Sequence, residues 1–406
     1  MRFFIVFSGI ILLIIAFILL RFSLEKEPIK VGLLYSKSGV MASSEIPIAI
    51  MFKAAIKEIN DTGGLLSQKI EIIEYNADSN PLEFYNGAEK LIENGVVSIF
   101  GCWTSSSRKE VKKVVEKHNN LLFYPLQYEG FEESRNIIYL GLSANQQVNP
   151  TLDFIQTNFG TNIYLIGSDS IYSHATNHYI KELSKLTELN IMAEYYLSDD
   201  DINFDNLFED ILEKKPHAII NTINGQNNIE FFTKLKELGI NSNNIPVFSL
   251  SLDESLISKM AKSSHGMLGH YATWGYFDAH NKDEDNQFTS FTKKYFKEDL
   301  PITDAMFSIY LGVQLFKDAI IKGNDTSPKM IQKNIKRGSY HISNDIYFTD
   351  PNTNHLYRHV MIGKINHNHS FDVVWHSAQI IKPNPFPTFK PKKEWQNYID
   401  LGVNHE

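Results

Sequence analysis

From residue 29 onward the chain alternates short runs rich in β-branched and aromatic residues with stretches whose apolar residues recur at helical spacing. That alternation is the pattern of parallel βαβ units, because two parallel strands need a crossover long enough to hold a helix. Residues 29–36 read as a first strand, 46–59 as a helix closed by Asp61-Thr62-Gly63-Gly64, 69–77 as a second strand, and 81–94 as a helix opened by Pro81. Residues 96–101, 105–118 and 121–126 continue as strand, helix and strand. A second run begins near Gln146, with strands at 162–169, 191–197, 217–223 and 245–251 and helices near 173–189, 204–213, 228–238 and 254–261. Its strand runs are apolar on both faces, which predicts interior parallel strands. Residues 302–321 predict a long helix, and 358–365 and 371–375 alternating strands. Pro383, Pro385, Pro387 and Pro391 predict an extended strap over the surface.

At 406 residues the chain exceeds what one hydrophobic core organises. The expected fold class is therefore α/β: two doubly wound parallel-sheet lobes with an N-terminal transmembrane helix. Residues 1–28 form the anchor or signal and linker, 29–148 plus 276–335 the first lobe, 149–275 plus 336–381 the second, and 382–406 the strap. Residues 3–20 are apolar apart from Ser8 and Gly9, near the lower length limit for a bilayer span. Arg2 favours a cytoplasmic N-terminus, although Arg21, Lys26 and Lys30 blur the charge asymmetry. Leu19, Leu20, Arg21 and Phe22 supply no small residue for a signal cut. No cysteine follows the run, since Cys102 is the sole cysteine, so neither a lipid attachment there nor an internal disulfide is possible. The segment reads as an uncleaved inner-membrane anchor holding the remainder on the periplasmic or extracytoplasmic face. A net charge of -8 from interspersed acids, with no basic stripe, argues against nucleic acid.

In doubly wound sheets the binding crevice lies beyond the C-terminal ends of the strands. At one such end Trp103, Thr104 and Ser105 lead into a helix, whose first N–H groups have no intrahelical partner and can hold a ligand oxygen. At the next, Tyr124, Gln127 and Tyr128 offer flat faces with donors and acceptors. The second run supplies Asp169, Tyr172, Asn221 and Asn224, again after strands, and Asp304 precedes the long helix. Hydroxyl, amide and carboxylate groups facing aromatic rings suit a small neutral polar ligand. Urea is one: four N–H donors, one carbonyl and a flat face, matched by Asp169, Asn221, Asn224 and Asp304 as acceptors. An enzymic reading and a metal-binding reading are weaker. Cys102 as a nucleophile has no histidine nearby in sequence, and His367 and His369 sit in a turn without acidic or cysteine partners at metal-ligand spacing. Neither a cofactor nor a metal is expected.

These motifs carry a resemblance. Residues 31–39 (VGLLYSKSG), 101–109 (GCWTSSSRK), 123–130 (FYPLQYEG), 145–147 (NQQ), 167–169 (GSD), 221–225 (NTING), 269–274 (GHYATW) and Val374-Trp375 resemble the urea- and short-chain-amide-binding members of the type I periplasmic binding proteins, relatives of the branched-chain amino-acid binders. The similarity runs from about residue 29 to 387. It implies a ligand held between lobes joined by three crossovers and delivered to an ABC permease. It also implies contacts from Trp103, Thr104, Ser105, Tyr124, Gln127 and Tyr128 on one lobe and Asp169, Tyr172 and Asn221 on the other. Asp304 resembles the family's acidic position before the long helix. Two departures stand out: the lipid-anchoring cysteine is absent, and Ser170-Ile171-Tyr172-Ser173-His174 differs from the commoner aromatic-proline-arginine run. The second leaves the choice among urea, acetamide, formamide and other small amides open. A tethered clamp of this kind suits uptake, with sensing to a membrane partner as the alternative.

Overall fold

The computed structural model describes residues 26–198, 204–260, 266–280, 286–296, 300–342 and 345–402. The anchor expected over residues 3–20 lies outside them; among the described residues no helix is long and apolar enough to cross a membrane.

The chain opens with β1 (Ile29–Tyr35), α1 (Ala42–Asp61), β2 (Ile70–Asn76), α2 (Pro81–Glu93), β3 (Ile99–Gly101), α3 (Ser105–His118), β4 (Leu122–Tyr124) and β5 (Ile137–Tyr139). These strands form one parallel sheet in the order β2-β1-β3-β4-β5. The order reverses direction after β1, so the ends of β1 and β3 diverge and leave a crevice. Phe100 and Phe123 stack at 4.4 Å in the core of this lobe, with Phe52 and Phe316 against Phe100.

The chain then crosses to α4 (Ala144–Asn158), β6 (Asn162–Ser168), α5 (Ile171–Ser184), β7 (Asn190–Leu197), α6 (Phe204–Lys214), β8 (Ala218–Thr222), α7 (Asn227–Glu237), β9 (Val247–Ser249), α8 (Glu254–Met260) and β10 (Tyr271–Trp274). Strand side chains alternate faces. Tyr164 and Ile166 of β6 accordingly join one apolar cluster, and Ile163 and Leu165 the cluster on the opposite face. The chain returns for α9 (Gln287–Tyr295), α10 (Asp304–Gly323), α11 (Pro328–Ile335) and the hairpin β11 (Tyr340–Ile342) and β12 (Asp345–Tyr347). It crosses once more to β13 (Met361–Ile365) and β14 (Phe371–His376), which add antiparallel to the second sheet, order β14-β13-β10-β9-β8-β6-β7. The tail ends in α12 (Lys392–Gly402).

The three crossovers meet at one buried cation. The Arg358 guanidinium donates to the Leu140 carbonyl at 3.0 Å, to Ser308 Oγ at 2.9 Å and to Asp304 Oδ1 at 2.6 Å. On the middle crossover Gly275 lies so close that a Cβ there would stand 2.6 Å from Arg358 Nη2. Beside this pin, Gln146 closes a capping box with Ser143 and donates to the carbonyls of Leu356 and Ile381.

Several expectations are corrected. β5, β10, α9 and α11 are elements that the hydrophobic pattern did not mark. β7, read as interior, is an edge strand with half-exposed side chains. Tyr340, Ile342, Tyr347 and Leu356 pack in the first-lobe core, so the stretch assigned whole to the second lobe is divided. Ala144 and Val148 already belong to the second lobe. The strap is extended only as far as Pro391; beyond the last proline nothing forbids a helix, and α12 forms, seating fully buried Trp395 against Phe131 at 4.5 Å.

Candidate functional site

Between the lobes lies a cleft of about 930 Å³, walled on both sides by strand ends and the loops that follow them. At the end of β3, Gly101 has φ 135° and approaches the Leu34 carbonyl so closely that a Cβ would collide at 1.9 Å. Cys102 follows in the left-handed region at φ 66°, a conformation that costs a non-glycine residue roughly 1 kcal/mol and is kept where the surroundings enforce it. The turn launches Trp103 to the cleft wall, and the Tyr124 hydroxyl fixes it by donating to the Trp103 carbonyl at 2.8 Å. Thr104 caps α3, its hydroxyl accepting from the Ser107 N–H at 3.1 Å. The amides of Ser105 and Ser106 begin the helix at the cleft wall, where the helix itself supplies them no acceptor.

Behind that helix start is a buried ionic network. Arg108, fully buried, donates to Glu129 at 2.7 Å and Glu132 at 3.0 Å, and its guanidinium lies over the rings of Tyr128 and Tyr124. Burial pushes the Glu132 carboxyl up, but Arg108 and Lys112 outweigh it and hold the group at about 2. Ser105 gives its hydroxyl proton to Glu129 at 2.6 Å and accepts from Arg108 at 3.2 Å. Its side chain is thereby spent inside the lobe, and what it offers the cleft is its backbone N–H.

From the second lobe, Asp169 stands at the mouth, largely exposed and bonded to His174 at 2.6 Å. Tyr172 is buried, its hydroxyl within 3.2 Å of the Leu250 carbonyl, and Asn224 takes its place by donating its N–H to Ser168 Oγ at 2.9 Å. Gln127 reaches from the first lobe to the same Leu250 carbonyl at 3.3 Å, while its buried Oε1 has no protein partner.

Of the eleven residues the sequence singled out, the structure gathers eight around the cleft: Trp103, Thr104, Ser105, Tyr124, Gln127, Asp169, Tyr172 and Asn224. Three do not line it. Tyr128 is stacked between Tyr139 and the Arg108 network, with its hydroxyl on His355. Asn221 is fully buried and ties Asn228, Ser249 and the Ile223 N–H together, holding the loop rather than facing a ligand. Asp304 is paired with Arg358 at the crossovers; burial, outweighing the guanidinium, keeps its carboxyl above the ordinary value. The sequence reading missed the segment from Gly39 to Ser43, with Ser79 beside it, all of which line the cleft. The signal was present: this segment follows β1, whose end is a crevice position by the same rule that found Trp103. Cys102 is buried, and burial pushes its thiol well above the ordinary value, the opposite of an activated nucleophile. Among the described residues no group of His, Cys, Asp and Glu is arranged to hold a metal ion.

Comparison with known proteins agrees with this architecture. The family model described as "Periplasmic binding protein domain" matches residues 29–392. In sequence the chain is similar to "Limonene hydroxylase" of Geobacillus stearothermophilus, 32% identical over 120 residues, which are 30% of this chain and 22% of that protein. It is similar also to "Leu/Ile/Val-binding protein homolog 4" of Brucella abortus (strain 2308), 28% identical over 122 residues, 29% of this chain and 26% of that one. The chain thus matches about a quarter of the length of these curated relatives. In structure it resembles a solute-binding protein of an ABC transporter from Rhodopseudomonas palustris BisB5 in complex with 3,4-dihydroxybenzoic acid, with a TM-score of 0.77 at 17% identity, covering 88% of this chain and 99% of the other. It also resembles the leucine-, isoleucine-, valine-, threonine- and alanine-binding protein of Brucella ovis in its closed conformation, with a TM-score of 0.76 at 15% identity, covering 88% and 97%. Two wound lobes, three crossovers and a polar cleft, with the family model matched from the first strand into the tail helix, place this chain in the periplasmic binding protein domain family.

Proposed function

We propose that the protein is the extracytoplasmic solute-binding component of an ABC uptake system, and that it encloses urea or a short-chain amide and delivers it to a membrane permease. The observation that carries this reading is the charge of the cleft. Among the described residues lining it there is no lysine, arginine or histidine, and the one ionisable acid is Asp169. The cation nearest the α3 start, Arg108, is already committed to Glu129 and Glu132. A carboxylate ligand would find helix-start amides and neutral hydroxyl and amide groups but no lining cation to balance its charge.

A neutral amide suits the same groups. Its carbonyl can accept from the Ser105 and Ser106 N–H groups, its N–H groups can donate to Gln127 Oε1 and the oxygens of Ser168 and Asn224, and its plane can lie on Trp103. Such a site rejects a ligand that leaves buried groups unpaired, by roughly 1–3 kcal/mol for each. At about 930 Å³ the cleft is far roomier than a four-heavy-atom molecule requires, so the lobes must approach for full enclosure. Isothermal titration of the purified protein against urea, acetamide, formamide, leucine and 4-hydroxybenzoate tests the reading. Urea or a small amide should bind tightest and remain intact. Tightest binding of leucine or 4-hydroxybenzoate overturns the ligand class, and release of ammonia overturns the non-catalytic role.

A further inference from the structure

Three donors stand within reach of the Leu250 carbonyl: Gln147 Nε2 at 3.0 Å, which also donates to the Thr273 carbonyl, the Tyr172 hydroxyl at 3.2 Å, whose one proton is shared with Gln147 Oε1 at 3.4 Å, and Gln127 Nε2 at 3.3 Å. A carbonyl oxygen has two lone pairs, so the three donors compete for it, and the longest contact, from Gln127, is the one most readily released. Gln147 and Tyr172 belong to the second lobe, as does Leu250, whose own N–H is anchored on the Asn221 carbonyl at 2.9 Å. Gln127 alone comes from the first lobe, held between Leu126 and Tyr128 of that core. Its bond therefore spans the two halves of the clamp.

The orientation of this amide follows from its partner. Leu250 presents an acceptor, so the amide nitrogen must face it, and the oxygen is left directed elsewhere. That oxygen is buried, unpartnered by the protein, and belongs to a side chain that lines the cleft. We propose that Gln127 is the residue that couples ligand identity to lobe position. A ligand N–H donated to Gln127 Oε1 fixes the plane of the amide and thereby holds Nε2 on the Leu250 carbonyl of the opposite lobe. A ligand with no N–H leaves the oxygen unpaired and the tie between lobes loose, so acetate is refused where acetamide is accepted. This deepens the amide-binding reading and rests on it.

The test combines titration calorimetry with small-angle scattering on the full chain, using urea, acetamide and acetate as probes. The proteins compared are wild type, Gln127→Met, which keeps the unbranched shape, and Gln127→Glu, which keeps an acceptor but has no donor for Leu250. Wild type should bind urea or acetamide and contract on saturation. Gln127→Met should lose roughly ten- to a hundredfold in amide affinity while its weak acetate binding stays the same, and its scattering curve should no longer shift. Gln127→Glu should still bind amide, more weakly, without contracting at saturation. Wild-type affinity and contraction in Gln127→Met, or in Gln127→Glu if the first variant does not fold, overturns the coupling role and leaves the amide reading standing. A wild type that binds neither urea nor acetamide overturns both.

Discussion

Glu45, in the first turn of α1, is 3% exposed, with one oxygen accepting from the Ser36 N–H at 3.0 Å. Burial outweighs that hydrogen bond and raises its carboxyl from 4.5 to about 7. A raised folded-state value means that the folded protein holds the proton more tightly than the unfolded chain does. The favourable contribution is complete below pH 4.5 and is lost as the pH climbs to about 7, a change on the order of 3 kcal/mol. Glu45→Gln keeps the acceptor and removes the charge. Guanidinium unfolding should therefore show the variant more stable than wild type at pH 8 and equal to it near pH 4.5. Single residues also mark where sequence reasoning runs short. Asn221 and Asp304 are of the right chemical type for a ligand, yet each spends its polar atoms inside, on Asn228 and Ser249 or on Arg358. Composition at a strand end says that a polar group is there, not which way its hydrogen bonds are drawn.

At the scale of elements, helices with a long amphipathic run or a marked start were legible: α3 occupies the predicted 105–118 because Thr104 caps it and the lysines ride outside. Short elements buried on all sides were not. β5 is three residues and β10 four, too brief for periodicity to declare itself, and tertiary pairing with β4 and β9 defines them. The tail shows the converse, since its prolines foretold the extended part and hid α12. Trp395 anchors that helix, fully buried, with its indole N–H on the Pro387 carbonyl at 2.9 Å. Trp395→Ala should cost about 3–5 kcal/mol in chemical denaturation, as truncation of a packed core aromatic does. It should also expose the tail to limited proteolysis after residue 381.

For the molecule as a whole, the architecture followed from the repeated alternation and the crevice from the topology, whereas the pin between the lobes came from neither. Arg358, Asp304, Leu140 and Gly275 are scattered along the chain, and only folding brings the three crossovers to one guanidinium. Arg358→Met leaves the Asp304 carboxyl buried without its partner and should cost about 3–5 kcal/mol, read as a lower denaturation midpoint. Pairing it with Asp304→Leu should recover most of the loss, because the stranded charge is removed with its counterpart. In the proposed closure this point would serve as the pivot, letting the rims travel without the crossovers separating. Cys102 bears on how that travel can be watched. With the chain's sole sulfhydryl sealed beneath α3, a pair of cysteines introduced at the two rims would be the only handles open to maleimide dyes. The clamp comes ready for distance measurement by energy transfer, with no native residue to be engineered away.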